Sequence, residues 1–184
     1  LCLYKREWSA IMTQESKERL AASVGSFRLP RYNEIPTVGL YLEQTAKYIS
    51  QILSPLEENC MTPSMISNYV KKKLIASPVK KQYGRDQIVY LFFVAVAKNV
   101  LSLDNLDRFI RLQERTYTTE RAYNYFCDEL ENLLAYVFGL KESPDAVGTD
   151  STDEKMMLRS AIIAFCHKIY LEKCFELGVD RPED

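Results

Sequence analysis

Residues 62–91 read TPSMISNYVKKKLIASPVKKQYGRDQIVYL. Six basic residues fall between Thr62 and Arg85 with no acidic residue among them, yet the 184-residue chain carries a formal net charge of −1. Thr62-Pro63 is a helix start: the threonine can cap the first free N–H groups, and proline loses nothing at the first helical position. Ile66, Tyr69, Val70 and Leu74 then recur on one apolar face, with Ser64, Ser67, Asn68, Lys71 and Lys72 on the other. Ala76-Ser77-Pro78 breaks the pattern. Val79 to Tyr83 alternates weakly and is compatible with a short β-ribbon. Asp86 is placed to cap a buried helix running to about Leu101.

Working outward, helical periodicity dominates. Ser16 to Ser23 is a short helical candidate. Ser26 to Pro36 holds two prolines and reads as extended. Leu42, Thr45, Ala46, Ile49 and Leu53 fall at helical spacing, up to Ser54-Pro55. Ser102 caps a helix with Leu103, Leu106, Phe109 and Ile110 inward. Glu120 to Phe138 carries a wide apolar stripe (Tyr123, Phe126, Cys127, Leu130, Leu133, Leu134, Val137, Phe138), and Gly139 stops it. Lys141 to Asp153 reads as a loop or flexible linker. Asp153 to Leu177 is a last helix with Leu158, Ala161, Ile162, Phe165 and Ile169 inward, stopped by Gly178. The spacing predicts that the last two helices form an antiparallel pair.

Composition is that of a globular protein, with 47% hydrophobic and 27% charged residues. Five cysteines at scattered positions fit a reducing compartment. The N-terminal LCLYKREWSAIM lacks the apolar core of a signal peptide. Met12-Thr13-Gln14 reads as a natural start, which leaves residues 1–11 as upstream or foreign sequence. The longest apolar run, Val89 to Ala97, is too short to span a bilayer, so a cytoplasmic protein without membrane contact is expected. Cys166-His167 with Cys174 lacks the spacing and the fourth ligand of a metal site. No phosphate loop or nucleophile motif is present. The expectation is no enzyme, no cofactor and no metal.

Helix, capped helix, basic loop, buried helix and short helix, in that order, resemble the winged helix-turn-helix of the mercury-resistance regulator (MerR) family. The likeness rests on Thr62-Pro63, Tyr69, Leu74-Ile75, Pro78, Lys80-Lys81-Gln82-Tyr83, Gly84 to Leu91 and Leu101 to Leu106. More closely, Leu29-Pro30-Arg31-Tyr32, Leu40 to Gln44 and Thr62 to Tyr83 resemble a bacterial family, domain of unknown function 1836, over roughly 28–107. That resemblance implies a MerR-like fold and DNA binding. The MerR helix usually closes on glycine where this chain has Lys73, a change expected to alter the helix exit. Ser67 stands where an arginine is common.

The expected fold is therefore mainly α: a tail over 1–27, partly helical or foreign to the natural chain; a MerR-like winged helix-turn-helix over 28–112; and a C-terminal helical lobe over 113–184. The expected role is a DNA-binding transcriptional regulator acting as a dimer on double-stranded DNA. Its recognition helix would be about 62–74 and its wing about 78–85. Small polar residues near a helix N-terminus let its backbone approach base edges. Asn68 can pair bidentately with adenine, and Ser64 and Ser67 can meet bases or phosphates. Lys71, Lys72, Lys80, Lys81 and Arg85 would hold phosphates. Tyr83 would donate its hydroxyl to a phosphate or simply pack. The alternative is a protein-interaction module whose basic face meets an acidic partner. Aromatics of the C-terminal half read as core, with a small-molecule pocket as the other reading.

Overall fold

The computed structural model describes residues 13–148 and 152–176. Seven α-helices and two two-residue strands are present among them. The proposed start at Met12 and the stop at Gly178 lie outside the described residues.

Helix α1 (Gln14–Val24) begins where Thr13 Oγ1 accepts from Ser16 N, and it buries Leu20 and Val24. The segment after it runs extended through a 3-10 turn at Tyr32–Glu34. Strand β1 (Leu40–Tyr41) leads into α2 (Leu42–Leu53), which buries Thr45, Ala46, Ile49 and Leu53. Helix α3 (Pro63–Lys71) follows, and then β2 (Gln82–Tyr83), antiparallel to β1 with Leu40 opposite Tyr83.

Helix α4 (Arg85–Ala97) is the centre of the molecule, touching α2, α6 (Thr119–Val137) and α7 (Asp153–Glu176). Eight of its residues are buried, which is why its sequence reads apolar all round. Asp86 does not cap it. Gly84 occupies the cap position, its N–H donating to Gln87 Oε1 at 2.8 Å, and the Asp86 carboxylate instead accepts from the Tyr32 hydroxyl at 2.6 Å. Helix α5 (Leu103–Thr116) is capped by Ser102 as its sequence requires. Gly139 closes α6 at φ 75°, the left-handed conformation that glycine adopts without penalty.

One cluster of buried side chains runs from Leu20 to Cys174. Each fully buried Leu, Ile or Phe in it contributes about 1.5–3 kcal/mol. The stripe expected on α6 is buried except at half-buried Val137, and all five residues expected inward on α7 are buried.

The last two helices are parallel, not antiparallel. Tyr117 meets Thr152 at 3.2 Å, the Lys155 ammonium lies 4.8 Å from the Tyr125 ring centroid, and Arg159 pairs with Glu129 at 2.5 Å. Phe138 packs edge-on against Tyr170. Contacts therefore advance together along both helices. The chain between them has about 50 Å of reach, enough to return along an α6 about 28 Å long. Its described part is tied to α6. Asn132, buried on α6, donates Nδ2 to the Asp145 carbonyl at 3.0 Å and accepts from Asp145 N at 2.9 Å.

Candidate nucleic-acid interface

Helix α3 starts as the residue types demand. Thr62 Oγ1 accepts from Met65 N at 3.2 Å, and Pro63 takes the first helical position. Ser50 of α2 fixes the entry, donating to the Met61 carbonyl at 2.8 Å and accepting from Met61 N at 3.2 Å. Ile66 and Tyr69 are buried on the side that α2 contacts. Burial there leaves Ser64, Ser67, Asn68, Lys71 and Lys72 on the opposite face, and all five are exposed. They fall at i, i+3, i+4, i+7 and i+8, one stripe along the helix.

The exit of α3 is a Schellman close. Leu74 N donates to Tyr69 O and Lys73 N to Val70 O, both at 2.9 Å. Lys73 itself takes the left-handed conformation, φ 59°. The expected change of helix exit at Lys73 does not occur: lysine adopts the geometry glycine would. Lys73, outside the expected contact set, is exposed beside Lys72. The signal was local: a lysine run followed at once by the apolar pair Leu74-Ile75, both of which the core then buries.

Val79 and Gln82 exchange two backbone hydrogen bonds, 3.0 and 2.9 Å, around a two-residue turn made of Lys80 and Lys81. Both have positive φ, 50° and 65°. A hairpin turn with two positive φ values favours Asn-Gly, because a left-handed residue with a Cβ costs about 1–2 kcal/mol. Three of the four non-glycine residues at positive φ among the described residues are Lys73, Lys80 and Lys81; the fourth is Asn59. Lysines thus occupy the three positions of this stretch where they are conformationally most expensive. Lys71, Lys72, Lys73, Lys80 and Lys81 are all exposed, and none forms an ion pair with a described acid. Lys80 follows Lys73 by seven positions, so the two lie within about 24 Å of each other.

Two of the expected contact residues are held by the fold. Tyr83 is buried as a residue, its strand paired with Leu40. Arg85 turns inward. Its Nε and Nη2 donate to the Ile35 carbonyl at 3.1 and 2.9 Å, and its guanidinium stacks over the Tyr32 ring at 5.1 Å. The Tyr32 phenol, donating to Asp86 and partly buried, is pushed up to about 12. Arg85 therefore clasps the segment before β1 to the start of α4 and is not part of the lysine set.

Elsewhere, Cys166 is buried and His167 exposed, and among the described residues no group of three or more His, Cys, Asp or Glu could hold a metal. Burial pushes the Cys60 thiol up to about 11 and Cys127 up to about 12, which leaves both as thiols near neutral pH. Among the described residues no helix is long and apolar enough to cross a membrane.

The left-handed turn makes an unusual expectation. Replacing Lys80-Lys81 by Asn-Gly should raise unfolding stability by about 1 kcal/mol, through removal of the conformational penalty. Denaturant melts would show it, and unchanged or lower stability would mean the turn is not strained.

A family model described as "Domain of unknown function (DUF1836)" matches residues 30–126, more than half of the chain. The match continues past α5 into the first part of α6. No curated protein and no solved structure matches.

Proposed function

The chain belongs to the family of domain of unknown function 1836, and from that premise we propose that it is a DNA-binding transcriptional regulator with a MerR-like winged helix-turn-helix over 28–112. In this reading α3 enters the major groove and the Lys80-Lys81 hairpin is the wing. The observation that carries it is the exposed stripe of α3 running on into three left-handed lysines with no described acid partner. Strain retained at exposed lysines has its return outside the fold, and a phosphate backbone is the polyanion that repays it.

Roles follow from chemistry. Asn68 reads adenine through its amide, and Ser64 and Ser67 allow close approach. Lys71, Lys72, Lys73, Lys80 and Lys81 hold phosphates and set register. Arg85 and Tyr83 support the hairpin from behind. The protein works in the cytoplasm, without a catalytic step, as a two-fold dimer on a palindromic site. The exposed apolar side chains Met157, Leu171 and Phe175 on α7 favour that helix as the contact between copies.

The test is selection of genomic duplex fragments by the full chain, followed by a salt titration on the recovered sequence. Affinity should fall by about 0.9 log units per phosphate contact for each decade of salt. Asn68→Ala should relax preference at one base pair, by about 1–3 kcal/mol, while non-specific affinity stays. No enrichment of any duplex, with a protein captured instead at fixed stoichiometry, would move the basic face to an acidic protein partner.

A further inference from the structure

Between α5, α6 and the start of α7 the structure has two adjoining chambers. The inner one, about 50 Å³, lies among Val89, Phe93, Phe109, Ile110 and Phe126, and its wall is almost wholly apolar. The polar side chains on its border are engaged with other groups. The Tyr90 hydroxyl donates to Gln113 Oε1 and Gln113 Nε2 to the Tyr117 carbonyl, both at 3.0 Å. Thr119 is a further partner of Tyr90, and the Tyr123 hydroxyl sits beside Cys127. A space of this kind takes apolar groups rather than water. The outer chamber, about 390 Å³, has the size of a small-molecule site. Phe109, Gln113, Ala122 and Leu158 line both. Two cations, Arg121 and Lys155, and two carboxylates, Asp128 and Glu154, also line the outer one. The cations lie against the rings of Tyr117 and Tyr125, 5.2 and 4.8 Å from the centroids. Arg31 is shared between Asp128 and Glu131, at 2.7 and 2.6 Å, so Asp128 is only partly compensated. An ionic ligand of either sign meets a like charge as well as an opposite one, and gives up its hydration to enter.

We propose that these chambers bind a small neutral alkyl-substituted aromatic: its ring lies in the outer chamber against Phe109, and its short alkyl group fills the inner one. The inner space is about a third of that which takes a benzene ring, and it suits a short alkyl chain. Phe93 stacks on Phe109 at 5.4 Å and meets Phe126 edge-on at 5.8 Å, so a ring beside Phe109 extends an aromatic array already present. The site reaches the lysine-bearing stretch through one helix. Phe109, Leu112 and Gln113 of α5 line the outer chamber, while Arg111 of the same helix donates Nη2 to the Lys73 carbonyl at 2.9 Å, at the exit of α3. A ligand that moves or stiffens α5 thereby acts on the left-handed turn that ends α3. The binding site stands by itself; only this coupling rests on the DNA-binding reading.

Methyl NMR of the full chain tests it, with neutral 4-ethylphenol and phenol, anionic 4-ethylbenzoate and cationic 4-ethylbenzylamine as probes. 4-Ethylphenol should shift the Ile110, Leu112 and Leu158 methyls saturably. Phenol, which leaves the inner chamber unfilled, should bind about tenfold more weakly, and so should both ions, by about tenfold or more. Ala122→Leu, filling the junction of the chambers, should abolish binding. Val89→Ala enlarges the inner chamber and should favour 4-propylphenol over 4-ethylphenol by about fourfold relative to the parent, a gain of fit that misfolding does not imitate. No saturable shift with any probe, phenol binding as tightly as 4-ethylphenol, tighter binding of either ion, or an unchanged propyl-to-ethyl ratio in Val89→Ala would overturn the site. 4-Ethylphenol should also change affinity for the selected duplex by about fivefold, and Arg111→Ala should remove that change. Ligand binding with unaltered duplex affinity would overturn the coupling and leave the site. Ligand binding by a protein that holds no duplex would defeat the DNA reading, and the coupling with it, while the site remained.

Discussion

Replacing Lys71, Lys72, Lys80 and Lys81 together by glutamate should lower affinity for duplex DNA by about a thousandfold near 0.15 M salt. Each phosphate contact releases about 0.9 counterion, worth roughly 0.75 log units at that ionic strength, and four are lost. The salt dependence should flatten in parallel, its log–log slope falling by about 3.6. Fold should survive, because all four side chains are exposed and none pairs with a described acid. Circular dichroism gives that control, and binding by fluorescence anisotropy gives the effect. A variant that keeps its helical signal and binds duplex as tightly as the parent would remove the lysines, and α3 with them, from the interface.

Truncating Arg159 to alanine should produce the largest loss of stability. Its guanidinium pairs with Glu129, which is fully buried on α6 and whose Oε2 has no hydrogen-bond partner among the described residues. Removing one member of a buried pair strands the other and costs about 3–5 kcal/mol; Arg159 is still a third exposed, so about 2–3 kcal/mol is expected here, or about 5–10 °C in Tm. The sign with pH is fixed by burial, which raises the Glu129 pKa against the pull of Arg159. Without the arginine it rises further. A carboxyl whose folded pKa lies above its unfolded one favours folding when protonated, so the deficit should be greatest near neutral pH and shrink as pH falls through the folded pKa. Glu129→Gln in the Arg159→Ala background should recover most of the loss at neutral pH. A deficit independent of pH, or no rescue by glutamine, would show that the arginine acts by packing alone.

Both experiments rest on features of different origin. The stripe of α3 was legible because each of its determinants acts within a few residues: the Thr62 cap, Pro63 at the first helical position, and apolar Ile66 and Tyr69 one turn apart. The cap at Ser102 and the stop at Gly139 are of the same kind. The left-handed lysines were half legible. A lysine run before Leu74-Ile75 marks a helix close, but that Lys80 and Lys81 both turn left-handed follows only once Val79 and Gln82 pair and β2 docks on β1.

The sequence by itself determined the helical elements, most of their boundaries, the buried stripes of α6 and α7, and the exposed face of α3. Caps and periodicity are chemistry between neighbours in the chain, and such neighbours are present in any fold. Tertiary structure alone decided that α7 runs parallel to α6, that Tyr83 is buried, and that Glu129 is buried against Arg159. It also turned Arg85 onto a carbonyl fifty residues upstream, at Ile35. In each case a side chain or helix has two local choices of nearly equal energy. The partner that selects between them lies far away in sequence and comes near only when the core closes around α4.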